Sequence, residues 1–319
     1  MFIENLSDGQ RVADNVFLCK KITSAVTKAG KDYFNVELCD KTGKIDGKIW
    51  DPSDVGIEEV NNLDYVVCSG DIVMYNGTLQ FKIYKIRKAE EGTFNEADFI
   101  PKSRYNIDDM YNKLLKLIDT IKAPYMKKLL YSFFVEDKEF AEKFKKHSAA
   151  KSVHHGFSGG LLEHSLSVAT LCDYYSRHYA KLLDRDLLIT AAICHDMGKV
   201  KELSDFPENL YTDDGQLFGH IVMGAEMLRD RIKTIDDFPE EKGKELIHCI
   251  LAHHGKFEYG SPKLPSIIEA LVLHFADNLD AKVESFREVM EANIPDADGW
   301  YGFNRLFETS LKKTSPEEF

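Results

Sequence analysis

Hydrophobic and polar positions follow two different rhythms along this chain. Up to about residue 90 they alternate or run in short apolar blocks, at 16–22, 33–40, 44–50, 64–75 and 79–87. Turn signals such as Lys41-Thr-Gly and Asn76-Gly77 separate the blocks. Period-two alternation between such turns predicts about five β-strands. From residue 110 onward the apolar positions recur instead at three- and four-residue spacing, which predicts a nearly continuous series of helices. Between them, residues 91–109 lose both patterns and predict a linker. The expected architecture is therefore multidomain: a small N-terminal β-barrel over 1–90, of the OB-fold class, and an all-α helical bundle over 110–319.

Composition adds little to that division. With 319 residues and 44% hydrophobic content, the chain can bury a core in each of two domains. No apolar run reaches membrane-spanning length, and Met1-Phe-Ile-Glu-Asn-Leu lacks the basic start of a secretory signal, so a cytoplasmic protein with no membrane partner is expected. Six cysteines form no CxxC pair and predict reduced, buried thiols.

Charge changes the picture more. The net charge of −12 opposes a protein-wide basic footprint for nucleic acid. Residues 1–90 carry 12 Lys and Arg against 14 Asp and Glu, a net of −2, leaving −10 for the remainder. The β-rich part is thus close to neutral, with a local basic run at Lys82, Lys85, Arg87 and Lys88. Aromatic and basic residues on a small barrel suit single-stranded bases and backbone. Phe34, Trp50, Phe81 and Lys82, with Lys48 and Tyr84, are the candidate substrate-binding residues there, against the alternative of barrel core and solvated edge.

The helical part carries the chemistry. His164, the pair His195-Asp196, His220, the pair His253-His254 and Asp277 form one ordered series. Several lie on the apolar face of a predicted helix: Val168, Leu171 and Cys172 follow His164 at helical spacing, and Leu188, Ala191 and Ala192 precede His195. Gly198 is the expected stop of the helix that ends in His195-Asp196. Placing titratable groups where apolar ones would pack better carries a desolvation cost that a bound metal offsets. Asp196 has two oxygens and can bridge two cations, and two ions about 3.5–4 Å apart can hold both oxygens of an in-line displacement at phosphorus. A histidine-rich set without thiolates suits Mn²⁺, with Fe²⁺ or Co²⁺ as alternatives, better than Mg²⁺. Lys199 is a candidate to offset charge on the scissile phosphate, or equally a complement to a helix end. His154 and His155 precede a Gly-rich helix start suited to phosphate, which makes His155 a candidate substrate contact. Glu163 is expected to be solvated.

The order H, HD, H, HH, D resembles the HD-domain metal-dependent phosphohydrolases. More closely, His154-His-Gly-Phe-Ser-Gly-Gly-Leu-Leu-Glu-His, His195-Asp-Met-Gly-Lys, Tyr211-Thr-Asp-Asp-Gly-Gln-Leu-Phe-Gly-His and Ala276-Asp-Asn-Leu-Asp are similar to the YhaM-type 3′-5′ exoribonucleases. That resemblance implies an OB-type domain ahead of the HD domain, Mn²⁺, and release of 5′-mononucleotides from single-stranded RNA. Single-stranded DNA is the alternative substrate, and a homo-oligomer is compatible with it. It also implies that His164, His195 and Asp277 complete one metal position with Asp196, and that His220, His253 and His254 form the other. Rival readings are a nucleotide hydrolase, a cyclic-dinucleotide phosphodiesterase and a non-catalytic RNA-binding regulator. The chain reads Gly-Lys-Phe-Glu-Tyr-Gly-Ser-Pro after His253-His254, without the Gly-Tyr-Pro signature of the cyclic-dinucleotide branch.

Overall fold

The computed structural model describes residues 1–151 and 156–315 and divides them into two compact units. One comprises 1–101 and 286–315 of the described residues, the other 102–285, so the first division falls inside the expected linker and the second within the last helix.

The first unit is built on five strands: β1 (Arg11–Val26), β2 (Asp32–Asp40), β3 (Gly43–Ile49), β4 (Tyr65–Tyr75) and β5 (Thr78–Lys88). They close an OB-like barrel in the order β1-β2-β3-β5-β4. β1 is longer than its apolar pattern indicates, because it pairs with β4 through its first half and with β2 through its second. Shifts in register along β1 bend it between those partners. Asn76 and Gly77, both at positive φ, make the two-residue connection that sets Tyr75 opposite Thr78. The parallel pairing of β3 with β5 closes the barrel and places Lys48 beside Lys82. Inside lie Phe17, Leu38, Ile49, Ile72, Phe81 and Ile86, all fully buried. A short pair, β6 (Trp300–Asn304) and β7 (Thr309–Lys312), also belongs to this unit.

The second unit is helical: α1 (Ile107–Asp119), α2 (Pro124–Tyr131), α3 (Lys138–Lys146), α4 (Gly160–His178), α5 (Arg185–Cys194), α6 (Lys199–Glu202), α7 (Asp213–Ile232), α8 (Glu240–Ala252) and α9 (Ile268–Ala292) as far as residue 285. α5 is its central rod. Every residue from Leu187 to Cys194 is buried, and Asp184 caps its start by accepting from the Leu187 amide at 3.1 Å. Packed around it are the inner faces of α1, α2, α4, α8 and α9, including Leu114, Leu129, Val168, Ile250 and Leu273. All six cysteines are free and buried. Among the described residues no helix is long and apolar enough to cross a membrane.

Candidate metal centre

All seven predicted ligands converge in the helical unit, and the way helices end explains how. The last carbonyls of an α-helix have no partner within it. His195 follows the end of α5, and its Nδ1 donates to the Ala192 carbonyl at 2.8 Å. His253 follows the end of α8, and its Nδ1 donates to the Ile250 carbonyl at 2.6 Å. Each helix end thus supplies an acceptor three residues back that turns an imidazole and leaves its Nε2 facing forward. Behind His253-His254 the chain reverses at Gly255, φ +75°, where a Cβ would lie 2.4 Å from the His274 ring. Only glycine fits that turn.

The other three histidines are turned in the same sense. His254 Nδ1 donates to the Tyr259 carbonyl at 2.7 Å. His164, on α4, donates from Nδ1 to Asp280 at 2.7 Å, and His220, on α7, to Glu202 at 2.9 Å. With the proton on Nδ1, it is the Nε2 atom of each ring that is turned toward the other members of the cluster, where a cation would meet it.

Asp196 sits at the centre and is 2% exposed. Its Oδ2 lies 3.5 Å from His164 Nε2 and 3.4 Å from His195 Nε2. Its Oδ1 lies 3.4 Å from His220 Nε2 and 3.7 Å from His253 Nε2. One carboxylate therefore presents a separate oxygen to each of two histidine sets. Asp277, from α9, joins the first set at 3.1 Å from His164 Nε2 and 3.8 Å from His195 Nε2. His220, His253 and His254 form one group of mutually close donor atoms, and His164, His195 and Asp196 another. Asp196 Oδ1, His220 Nε2 and His253 Nε2 are buried and have no hydrogen-bond partner among the described residues. Unpaired buried acceptors facing one another are costly unless a cation lies between them, so the donor set fits divalent metal.

The protonation of the cluster follows from its burial and its charges. Burial pushes His253 below its ordinary value, and burial together with neighbouring His253 brings His254 down to about 4, so both are neutral ligands at neutral pH. Burial opposes charge on His164 too, yet its hydrogen bonds to Asp277 and Asp280 outweigh that and raise it to about 10. Asp196 is held well below the carboxylate range despite burial, chiefly by Lys199, whose ammonium lies 2.7 Å from Oδ2. Lys199 is raised in turn by Asp196 against its own desolvation.

Several expectations change. The helix does stop ahead of Gly198, at Cys194, but the glycine has another use: its φ is −62°, and a Cβ there would lie 2.1 Å from the His220 carbonyl oxygen. It lets the segment after Asp196 press against α7. Glu163 is buried and accepts from the Ser103 hydroxyl at 2.5 Å rather than meeting solvent. Phe81 lies wholly inside the barrel in edge contact with Phe17, so it cannot meet a substrate. Phe34 is half-buried against the same core. Trp50 and Lys82 are exposed, as is Tyr84. Trp50 stacks on Tyr33 at 5.1 Å, and the Lys48 ammonium lies 5.6 Å from the Tyr33 ring centroid. His155 lies outside the described residues. Tyr33 and Glu202 were not singled out from the sequence, and Asp280 entered only as the last residue of Ala276-Asp-Asn-Leu-Asp, without a role.

Known proteins resemble this chain over most of its length. The family model of the HD domain matches residues 161–282. The 3′-5′ exoribonuclease YhaM of Geobacillus sp. (strain WCH70) is 35% identical over 294 residues, spanning 90% of this chain and 87% of that protein. Among solved structures, the HD domain of the L. monocytogenes phosphodiesterase PgpH aligns at 21% identity over 41% of this chain and 73% of its own, with a TM-score of 0.28 that carries no argument.

Proposed function

Because this chain belongs to the family of YhaM 3′-5′ exoribonucleases, HD-domain metal-dependent phosphodiesterases, we propose that it degrades single-stranded RNA from the 3′ end, using two divalent ions bridged by Asp196. The observation that carries this is the division of Asp196: Oδ2 toward His164 and His195, Oδ1 toward His220 and His253. A mononuclear site has no use for a second, buried and unpaired carboxylate oxygen ringed by imidazole acceptors.

Bound there, the ions would polarise the scissile phosphate and supply the nucleophile at neutral pH. Mn²⁺ suits the mixed imidazole and carboxylate set. The chain's own groups do the rest. The five Nδ1 hydrogen bonds fix every ring before substrate arrives, so little reorganisation is needed at the chemical step. Lys199 keeps its proton beside Asp196 and presents a positive charge to the phosphodiester. Phe218 and Phe257 stand exposed close in sequence to His220 and His254, offering faces on which a terminal base can stack.

The barrel supports the polymer part of the proposal. Tyr33, Trp50, Lys48, Lys82 and Tyr84 lie on β2, β3, β5 and the residue that follows β3, combining aromatic faces with cations. That combination binds single strands by stacking and phosphate contact, with weak preference among sequences. The test is incubation of the protein and Mn²⁺ with 5′-end-labelled RNA and DNA oligomers of one sequence. Stepwise shortening of the labelled RNA, faster than that of DNA, is expected. Release of the labelled 5′ nucleotide first, or internal cuts, would contradict the proposal.

A further inference from the structure

Five imidazoles face one orientation problem, and the protein solves it in two ways. Three of them, His195, His253 and His254, donate Nδ1–H to backbone carbonyls at 2.8, 2.6 and 2.7 Å. Two, His164 and His220, donate to carboxylates at 2.7 and 2.9 Å. A neutral carbonyl fixes a ring's tautomer as well as a carboxylate does. What a carboxylate adds is negative charge behind the ring, which strengthens the opposite nitrogen as a donor to a cation.

These two carboxylates are distributed one to each ligand set. Asp280 stands behind His164, in the set that includes His195 and Asp277. Glu202 stands behind His220, in the set with His253 and His254. Both seats are built. Asp277 and Asp280 are one turn apart on α9 and take His164 from opposite nitrogens, while Ser167, one turn from His164 on α4, donates to the other oxygen of Asp280. Two helices thus interlock through two pairs of residues at three-residue spacing.

Glu202 is fixed by a different device. Gly219 breaks α7 with φ +71° and ψ 157°, so His220 opens a new helical segment whose first amide has no partner within it. Glu202 Oε1 accepts from that amide at 2.9 Å as well as from His220 Nδ1. Its backbone is held equally closely: the Glu202 carbonyl accepts from the Thr212 amide at 2.9 Å, and a Cβ on Gly215 would lie 2.2 Å from the same oxygen. The backbone and ring N–H groups of His220 therefore share one acceptor atom, Glu202 Oε1.

We propose that Asp280 and Glu202 are positioning residues that separately set the metal affinities of the two positions, Asp280 for the ion at His164, His195 and Asp277, Glu202 for the ion at His220, His253 and His254. The assignment rests on the two-ion reading above. A carboxylate hydrogen-bonded behind a ligating histidine typically contributes about 10–100-fold in metal affinity. Among the described residues Asp280 is hydrogen-bonded to a histidine of the first set and Glu202 to a histidine of the second, so the effect of each falls on its own ion.

The test is a Mn²⁺ titration of the metal-depleted full-length protein, followed by calorimetry, with Asp280→Asn and Glu202→Gln as the variants. Both keep the side-chain length and remove the charge. Wild-type protein is expected to bind two ions. Each variant should lose about 10–100-fold in affinity for one of them and stay within about threefold for the other. Combining either variant with Ala at His220 or at His164 identifies which ion is weakened: Glu202→Gln should have no further effect once His220 is gone, and Asp280→Asn none once His164 is gone. The visible spectrum of the Co²⁺-substituted protein gives a second readout, since a change in donor strength at one position alters one of two overlapping spectra. A purely structural role would leave both affinities unchanged, whatever the variants do to the thermal midpoint of the metal-free protein. Two ions in wild type with both affinities intact in both variants would overturn the assignment and leave the two-ion reading standing. A single ion in wild type would overturn both.

Discussion

Asp196 is the residue on which most depends. Asp196→Ala removes the one group that faces both ligand sets, so hydrolysis with Mn²⁺ should fall by at least about a thousandfold while the circular dichroism of the barrel and helices is kept. Lys199→Ala should lower kcat on a small phosphodiester and on RNA alike, since the charge it supplies acts at the phosphate. The histidines predict a pH signature in the metal-free protein. His164 is raised to about 10, so its contribution to stability is complete below 6.5 and is lost as pH rises through about 10. His254 is lowered to about 4, so its contribution is present above 6.5 and is lost as pH falls toward 4. Thermal midpoints measured with chelator across pH should decline on both limbs, and Asp280→Asn should flatten the alkaline one. An alkaline limb unchanged by that variant would contradict the pairing of His164 with Asp280. At this scale the sequence was most informative, because His-Asp and His-His pairs at helix ends have no packing reason to exist. Glu202 and Asp280 were not legible: each is one acid in a chain with 53, and nothing in local spacing separates a carboxylate behind an imidazole from one on a solvated face.

Elements decide where those residues point. The helix-end pairs work because α5 and α8 terminate with carbonyls that orient His195 and His253, a consequence of helix geometry that periodicity alone anticipates only as far as the end itself. Gly198 shows the limit. Its place after a helix predicts a stop, whereas glycine is required there by contact with the His220 carbonyl, a neighbour distant in sequence. In the barrel, alternation fixes that successive residues of a strand face opposite sides but leaves open which side is inside. β5 pairs with both β3 and β4, and that pairing turns Phe81 to the core and Lys82 outward. Two outcomes follow. Phe81→Ala should destabilise the barrel by about 3–5 kcal/mol, read as a lower denaturation midpoint. Trp50→Ala or Tyr33→Ala should leave stability nearly unchanged and weaken single-stranded RNA binding by about 1–3 kcal/mol per base lost.

Across the whole molecule, the strand-rich and helix-rich halves were plain in the hydrophobic rhythm, and the point where one gives way to the other was only approximate. The structure groups residues 286–315 with the barrel residues, a feature that no local pattern announces. A net charge of −12 sets a condition on RNA binding: cations must be local, as Lys48 and Lys82 are. Raising salt from 50 to 200 mM should therefore depress cleavage of a long RNA far more than cleavage of a small activated phosphodiester by the same protein. Equal salt dependence for the two substrates would remove the barrel surface from RNA capture. The central claim, that Asp196 holds two ions between two separate histidine sets, is tested most directly by counting metal. Wild-type protein loaded with Mn²⁺, desalted and analysed by plasma mass spectrometry should carry about two ions per chain, and the His253→Ala, His254→Ala double variant about one. A wild-type protein that never holds more than one ion, at any Mn²⁺ concentration, would contradict the account.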